Sequence, residues 1–326
     1  MARSYQFVVG QADAGARLDR YLTHRLPDSV SRAMIQRGIQ AGGIVVGGRP
    51  VKAHYKLRPG DTVTAGFRHL PAPARDLPLI PQPIPLDVVY EDRELLVVHK
   101  PAGLVTHPAP GHWDGTLVNA VLWHLQQERA AEEGDHELPR AGIVHRLDKE
   151  TSGLLLVAKT AHAQLSLARQ LKARTIHRRY LAVVEGRVPL ESGTVNVPIG
   201  RHLTHRKEMT VRHLGGRAAV THYRVLRRMA TPMDCTVLDV SLETGRTHQI
   251  RVHMAHLGHP VLGDTTYGKR PAEFWRSAGI GRHLLHAYRL SFQHPVTHRP
   301  VVVSAPVPDD MATWCDRTAL QRLDVK

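Results

Sequence analysis

Between Pro71 and Pro85 six prolines fall within fifteen residues, a density of fixed φ angles and missing amide donors that no helix or central strand tolerates. The stretch reads as an extended, semi-rigid spacer. It divides the chain into a front module of residues 1–69, a linker of residues 70–86 and a larger module of residues 87–326. With 326 residues, 42% of them hydrophobic and 22% charged, the chain has apolar material for a real core and is too apolar to be disordered.

The charge is less ordinary. Lys and Arg number 44 against 29 Asp and Glu, a net +15 before any of the 23 histidines is protonated. The excess is concentrated at the front, where about seventy residues carry eleven Lys and Arg and four acids. Such a module suits a polyanion, and nucleic acid is the expected partner. The two cysteines, Cys235 and Cys315, are too few for a disulfide scaffold and lack the paired spacing of a zinc site. The first twenty residues hold Arg3, Asp13, Arg17, Asp19 and Arg20 with no apolar stretch of a signal peptide, and the longest apolar run, Leu154 to Ala158, is far too short to span a bilayer. A cytoplasmic location without membrane association is expected.

In the front module, Arg17-Leu18-Asp19-Arg20-Tyr21-Leu22 has helical apolar spacing. A second helix, capped by Ser29 or Ser31, runs through Met34, Ile35 and Ile39 until Gly42-Gly43 stops it. Ile44-Val45-Val46 with Gly47-Gly48, then residues 56–63, give strand, tight turn and closing strand. Two helices followed by a small basic β-ribbon resemble an S4 RNA-binding domain. That resemblance makes Arg32, Gln36, Arg37 and Lys52 candidate phosphate contacts; a merely solvated helix face is the alternative for any one of them.

The larger module is strand-rich. Residues 86–90 and 95–100 read as strands across an acidic turn, residues 116–133 as a helix, residues 142–145 and 153–157 as buried strands around a polar break, and residues 161–174 as an amphipathic helix. Residues 180–184, 219–225 and 235–242 add strands. Short connections between them favour an antiparallel or mixed sheet over a βαβ repeat.

The polar break is the segment His145-Arg146-Leu147-Asp148-Lys149-Glu150-Thr151-Ser152-Gly153-Leu154, which sets one carboxylate among cations in a loop between apolar strands. A carboxylate nucleophile needs such a setting, although a solvated charged turn would look the same. This segment resembles the catalytic motif of the RluA-type pseudouridine synthases. Lys100-Pro101-Ala102-Gly103-Leu104-Val105-Thr106-His107-Pro108 resembles that family's upstream motif, and Arg179-Tyr180-Leu181-Ala182 its tyrosine motif. The stretch from Thr244-Gly245-Arg246-Thr247-His248-Gln249-Ile250-Arg251-Val252-His253 through Gly263-Asp264 to Tyr267-Gly268 resembles its downstream motif. The order of the four motifs is also the family's. Glu150 departs from it, standing where Asp is commoner.

The resemblance implies an α+β fold, a small S4-like domain followed by a synthase domain on a mixed, largely antiparallel β-sheet flanked by helices and loops. It implies isomerisation of specific uridines to pseudouridine in 23S ribosomal RNA of the large ribosomal subunit, with that RNA or the assembling particle as partner. Asp148 would be catalytic, Arg251 its ion-pair partner, and Tyr180 a stacking surface for the uracil beside Ile250. Arg146 would replace the flipped base in the RNA stack, and His145, Arg246 and His248 would complete the substrate site. The reaction requires no redox centre, metal or cofactor, and none is expected; nor is a second copy of the chain. The rivals are a noncatalytic ribosome-assembly clamp on the same fold and a carboxylate glycosidase, which commonly needs two carboxylates where one stands out here.

Two further patterns are weaker. Gly263 to Arg270 imitates a phosphate-binding loop but has Arg270 where Ser or Thr would ligate magnesium. His248, His253, His256 and His259 suggest a metal site but lack a His-Glu-x-x-His arrangement, so hydrogen-bonded structural or RNA-facing roles are expected.

Overall fold

The computed structural model describes residues 4–26, 30, 32–66, 79–108, 112–129, 142–205, 208–315 and 323. They fall into two compact units, residues 1–78 and 79–326. Ser29 and Ser31, the expected helix caps, lie outside the described residues, as do residues 67–78, which include the first part of the proline-rich stretch.

In the first unit strands β1 (Ser4–Val8), β2 (Ile44–Val46), β3 (Arg49–Pro50) and β4 (Thr62–Gly66) form an antiparallel sheet in the order β1-β4-β2-β3. Helices α1 (Leu18–Arg25) and α2 (Arg32–Gln40) pack Leu18, Leu22, Ile35 and Ile39 against Ile44 and Val63. The helices and the ribbon fall where apolar spacing places them. β1 gives no such signal, because none of its side chains is fully buried and it pairs only with β4.

Among the described residues of this small unit, one charged side chain lies inside. Asp19 is fully buried and accepts hydrogen bonds from Arg17 (3.0 and 3.1 Å), Arg32 (3.2 and 2.7 Å) and Gln36 (2.9 Å). Burial pushes its carboxyl up, but these partners outweigh burial and hold it well below the usual carboxylate range. Two of the four candidate phosphate contacts, Arg32 and Gln36, are therefore oriented by a buried anion. Lys52 is exposed and Arg37 half-buried.

The second unit is built on a nine-stranded sheet. Its order is β5 (Val88–Glu91), β6 (Leu95–Lys100), β7 (Ser152–Ala158), β14 (Leu285–Gln293), β8 (His177–Glu185), β13 (Cys235–Leu242), β12 (Val220–Met229) and β9 (Ser192–Asn196), with β15 (Pro300–Ser304) pairing β14. A separate hairpin joins β10 (Ile199–Arg201) to β11 (Met209–Val211). All pairings are antiparallel except β14 with β7, which meet in parallel with Ser152 opposite His286 and Gly153 opposite Ala287. Gly153 permits that approach: its φ is +115°, and a Cβ there would lie 2.3 Å from the carbonyl oxygen of Ala287.

Strand alternation sorts side chains to two faces. Leu96, Val98, Leu155, Val157, Ala182 and Val184 face α3 (Leu117–Arg129) and α5 (Gln249–His256). Leu95, Val97, Leu154 and Leu156 pack with α4 (Ala161–Ala173), while Leu181 and Val183 pack with α6 (Ala272–Ser277) and α7 (Asp309–Ala312). Each leucine or valine among them contributes about 1.5–3 kcal/mol when fully buried.

Residues 142–145 are not the strand expected from their apolar run. Only Ile143 bridges, to Val157. The Leu156 amide donates to His145 Nε2 at 3.1 Å, and Gly142 has φ +73°, outside the β region. The proline-rich stretch differs too, since its last part is held on the second unit: Asn119 Nδ2 donates to Ile80 O at 2.8 Å and Gln82 N to Asn119 O at 3.0 Å.

Three histidines of this unit stay neutral. Burial pushes His145, His283 and His286 down to about 3, with His283 Nε2 against Thr151 Oγ1 at 2.8 Å and His286 Nδ1 against Ser152 Oγ at 2.9 Å. Between pH 6.5 and about 3 the unfolded chain binds protons that the folded chain refuses. Stability therefore falls as pH drops through that window. Urea unfolding at successive pH values should show this decline beginning near pH 6, and His286→Gln should flatten it; an unchanged slope in the variant would contradict the assignment.

Candidate active site

The loop between Ile143 and β7 would be free to move if its backbone were solvated, but four consecutive carbonyls are bound. Thr106 Oγ1 donates to Leu147 O at 2.7 Å and Thr151 N to Asp148 O at 3.1 Å. Lys149 O accepts from Gly103 N at 2.9 Å and Lys100 Nζ at 3.0 Å, and Glu150 O accepts from Arg282 at 3.1 Å. Lys100 is buried and also donates to the carbonyls of Pro101 and Leu104. Burial lowers its pKa to about 8, against the opposing charges of Glu150 and Asp148. Arg282 is anchored on Asp310 at 2.6 and 2.8 Å. The loop is thus a rigid platform for one side chain, Asp148.

Asp148 projects beside α5. Its Oδ2 accepts from Arg251 at 3.2 Å, and its Oδ1 lies 3.9 Å from His248 Nε2. Arg251 is held from behind by Asp264, to which Nε and the second terminal nitrogen donate at 2.7 and 2.9 Å. Asp264 is fully buried, and its Oδ1 also accepts from the amides of Thr266 and Tyr267. Burial opposes ionisation of this pair, but mutual hydrogen bonding and charge prevail: Asp264 is held below the usual carboxylate range and Arg251 above its ordinary value. The Tyr267 ring covers the guanidinium at 5.0 Å.

This arrangement opens on a cavity of about 590 Å³ whose wall includes Thr106, Arg146, Asp148, His248, Arg251 and Arg282. Four expected site residues, Arg146, Asp148, His248 and Arg251, meet there. Tyr180 and Ile250 are buried in the main core and are not part of the wall. Tyr180 is nonetheless within the electrostatic reach of Asp148; burial raises its pKa, Arg178 opposes that rise, and Asp148 adds to it. His145 is engaged with the Leu156 amide, and Arg246 Nε donates to Ala218 O at 3.0 Å.

Periodicity and motif reading give Arg282 no role, and Lys100, Thr106 and Asp264 none beyond their places in motifs. Asp264 does have a signal in hindsight: it lies in the pattern that imitates a phosphate-binding loop. Its carboxylate takes the amides of Thr266 and Tyr267, so those donors are already satisfied. The histidine run is likewise accounted for in part. His253 bonds Thr221 Oγ1 (2.8 Å) and Val197 O (3.1 Å), and His259 bonds Glu185 O (2.8 Å). Among the described residues, Glu91, His124 and Glu128 come close enough to share a metal ion, but Lys159 already pairs with both glutamates.

A two-unit chain with a basic front module and a carboxylate fixed by a buried arginine at the wall of a cavity has the build of an enzyme acting on RNA. The RNA pseudouridylate synthase family model matches residues 94–256 and the S4 domain model residues 16–63. The chain belongs to the RNA pseudouridylate synthase family and is a pseudouridine synthase, an isomerase. It is 45% identical to the ribosomal large subunit pseudouridine synthase D of Neisseria meningitidis serogroup B, over 91% of this chain and 77% of that protein. It is also 45% identical to an uncharacterized RNA pseudouridine synthase, YlyB, of Bacillus subtilis, over 91% and 92% of the two chains. The structure of human RNA pseudouridylate synthase domain containing 1 superposes with a TM-score of 0.54 at 29% identity, covering 74% of this chain and 96% of that one.

The two carboxylates on Arg251 should respond differently to neutralisation. Asp264→Asn strips a buried guanidinium of its bidentate partner and should cost about 3–5 kcal/mol. Asp148→Asn removes a single, partly exposed contact and should cost about 1 kcal/mol or less. Urea unfolding of the two variants checks this; equal losses would contradict the division into an anchoring and a presented carboxylate.

Proposed function

We propose that this chain converts uridines of large-subunit (23S) ribosomal RNA to pseudouridine with Asp148 as the catalytic carboxylate. The observation that carries the reading is the presentation of Asp148 into the cavity by an arginine that is itself locked on Asp264. The choice of RNA is supported by the relatives that bear the name ribosomal large subunit pseudouridine synthase D. The reaction breaks the bond from N1 to the ribose, turns the uracil and joins C5 to the same carbon, with loss of the C5 proton and gain of one at N1. A single preoriented carboxylate beside a cavity that retains the detached base meets that need.

Each group then has a part. Arg251 fixes the orientation of the carboxylate and supports its charge. Arg146, exposed at the cavity wall, occupies the gap that the target uridine leaves in the RNA stack. Tyr180 and Ile250, buried in the core outside the cavity wall, meet the base only once its entry uncovers them. In the front unit, Arg32, Gln36, Arg37 and Lys52 contact the RNA backbone, with Arg32 and Gln36 held in place by Asp19.

Purified protein incubated with large-subunit ribosomal RNA carrying tritium at uridine C5 should release tritium to water. Asp148→Asn should abolish release while leaving the RNA dissociation constant within about threefold, because the lost interaction is made in the transition state and not on binding. Release by the variant at a wild-type rate would refute the assignment of Asp148, and absence of release by the wild type would favour the noncatalytic clamp. A chain beginning at Leu79 should bind the same RNA more weakly and with a shallower salt dependence; unchanged affinity and slope would contradict the role given to the front unit.

A further inference from the structure

The site has a second layer that the proposed chemistry leaves unused. Tyr267 Oη lies 2.6 Å from His248 Nδ1 and 2.9 Å from the amide nitrogen of Met209, at the start of β11. The amide can only donate, so it takes one lone pair of the phenol oxygen. That leaves the phenolic proton free to point at Nδ1, an arrangement in which the imidazole's own proton sits on Nε2, the nitrogen that faces Asp148 Oδ1. The backbone at His248 is left-handed, with φ +56°, an uncommon conformation for a non-glycine residue and one found at functional sites. That conformation falls immediately before α5, where the ring lines the cavity and faces the carboxylate.

We propose that Tyr267 is a positioning residue that fixes His248 in the Nε2–H tautomer, making His248 a neutral second donor to the catalytic carboxylate opposite Arg251. The inference rests on Asp148 being that carboxylate. Arg251 holds Oδ2 and the imidazole faces Oδ1, so together they set the plane of the carboxylate, and with it the lone pair presented to the substrate. The 3.9 Å separation closes to a hydrogen bond with a small ring movement as the site fills. Neutrality matters, since a second cation would draw charge from the nucleophile. The charged and titratable groups facing the ring are Asp148 and Arg146 from the loop before β7, Arg251 from α5, and Asp264 and Tyr267 from the following turn. Burial dominates them and keeps the imidazole below its ordinary pKa.

Tyr267→Phe keeps the ring, which packs among Ile199, Val252, Met209 and Val211, and removes only the hydroxyl. In ¹⁵N-histidine spectra of the full chain, with the His248 signals identified by their loss in His248→Gln, the wild type should show Nε2 protonated and Nδ1 as acceptor. Tyr267→Phe should show a mixture of tautomers. The same variant should lower kcat about tenfold with KM changed by less than about twofold. In the His248→Gln background, where the glutamine amide donates without needing a tautomer, loss of the hydroxyl should change kcat by less than about twofold. A wild-type ring protonated on Nδ1, or an equal loss in both backgrounds, would overturn the proposal while an inactive Asp148→Asn left the assignment of the carboxylate standing. Turnover by Asp148→Asn would bring down both.

Discussion

The second unit is organised around one guanidinium. Arg251 sits between two carboxylates of unlike standing: Asp264, fully buried and holding it in two places, and Asp148, in contact once and open to the cavity. An arginine this deeply buried is tolerable only because the pairing with Asp264 is bidentate and Asp264 has further donors in the amides of Thr266 and Tyr267. The cost of burying charge is met by Asp264. Arg251 is thus left with one fixed direction in which to hold Asp148, and a carboxylate so held needs little rearrangement when charge changes at the substrate.

The same economy governs the backbone around Asp148. Binding of the carbonyls of residues 147–150 by Thr106, Gly103, Lys100, Thr151 and Arg282 satisfies groups that would otherwise demand water, and it ties the loop to β6, to the turn after it and to the segment preceding β14. The parallel contact of β14 with β7 at Gly153 brings His283 and His286 against Thr151 and Ser152. Elements more than a hundred residues apart in the chain therefore converge on residues 147–152. The front unit applies the same principle on a smaller scale, with buried Asp19 orienting Arg17, Arg32 and Gln36.

What the sequence makes legible follows from these forces. β6, β7, β8 and β13 are buried and apolar, so their runs announce them, and Asp148 is conspicuous because a polar knot interrupts such a run. α5 is hidden from periodicity because Gln249, Arg251 and His253 occupy buried positions where apolar residues would be sought. The apolar run at residues 142–145 misleads because the His145 ring, and not a neighbouring strand, accepts the Leu156 amide. The roles of Lys100 and Arg282 depend on Lys149 and Glu150, 49 and 132 residues away, and local spacing holds no record of such pairings.

Pseudouridine mapping across large-subunit ribosomal RNA, in cells lacking this protein and then supplied with the wild type or Asp148→Asn, tests the account most directly. It predicts that particular sites vanish without the protein and return only with the wild type. Persistence of every site in its absence, or restoration by the variant, would contradict it.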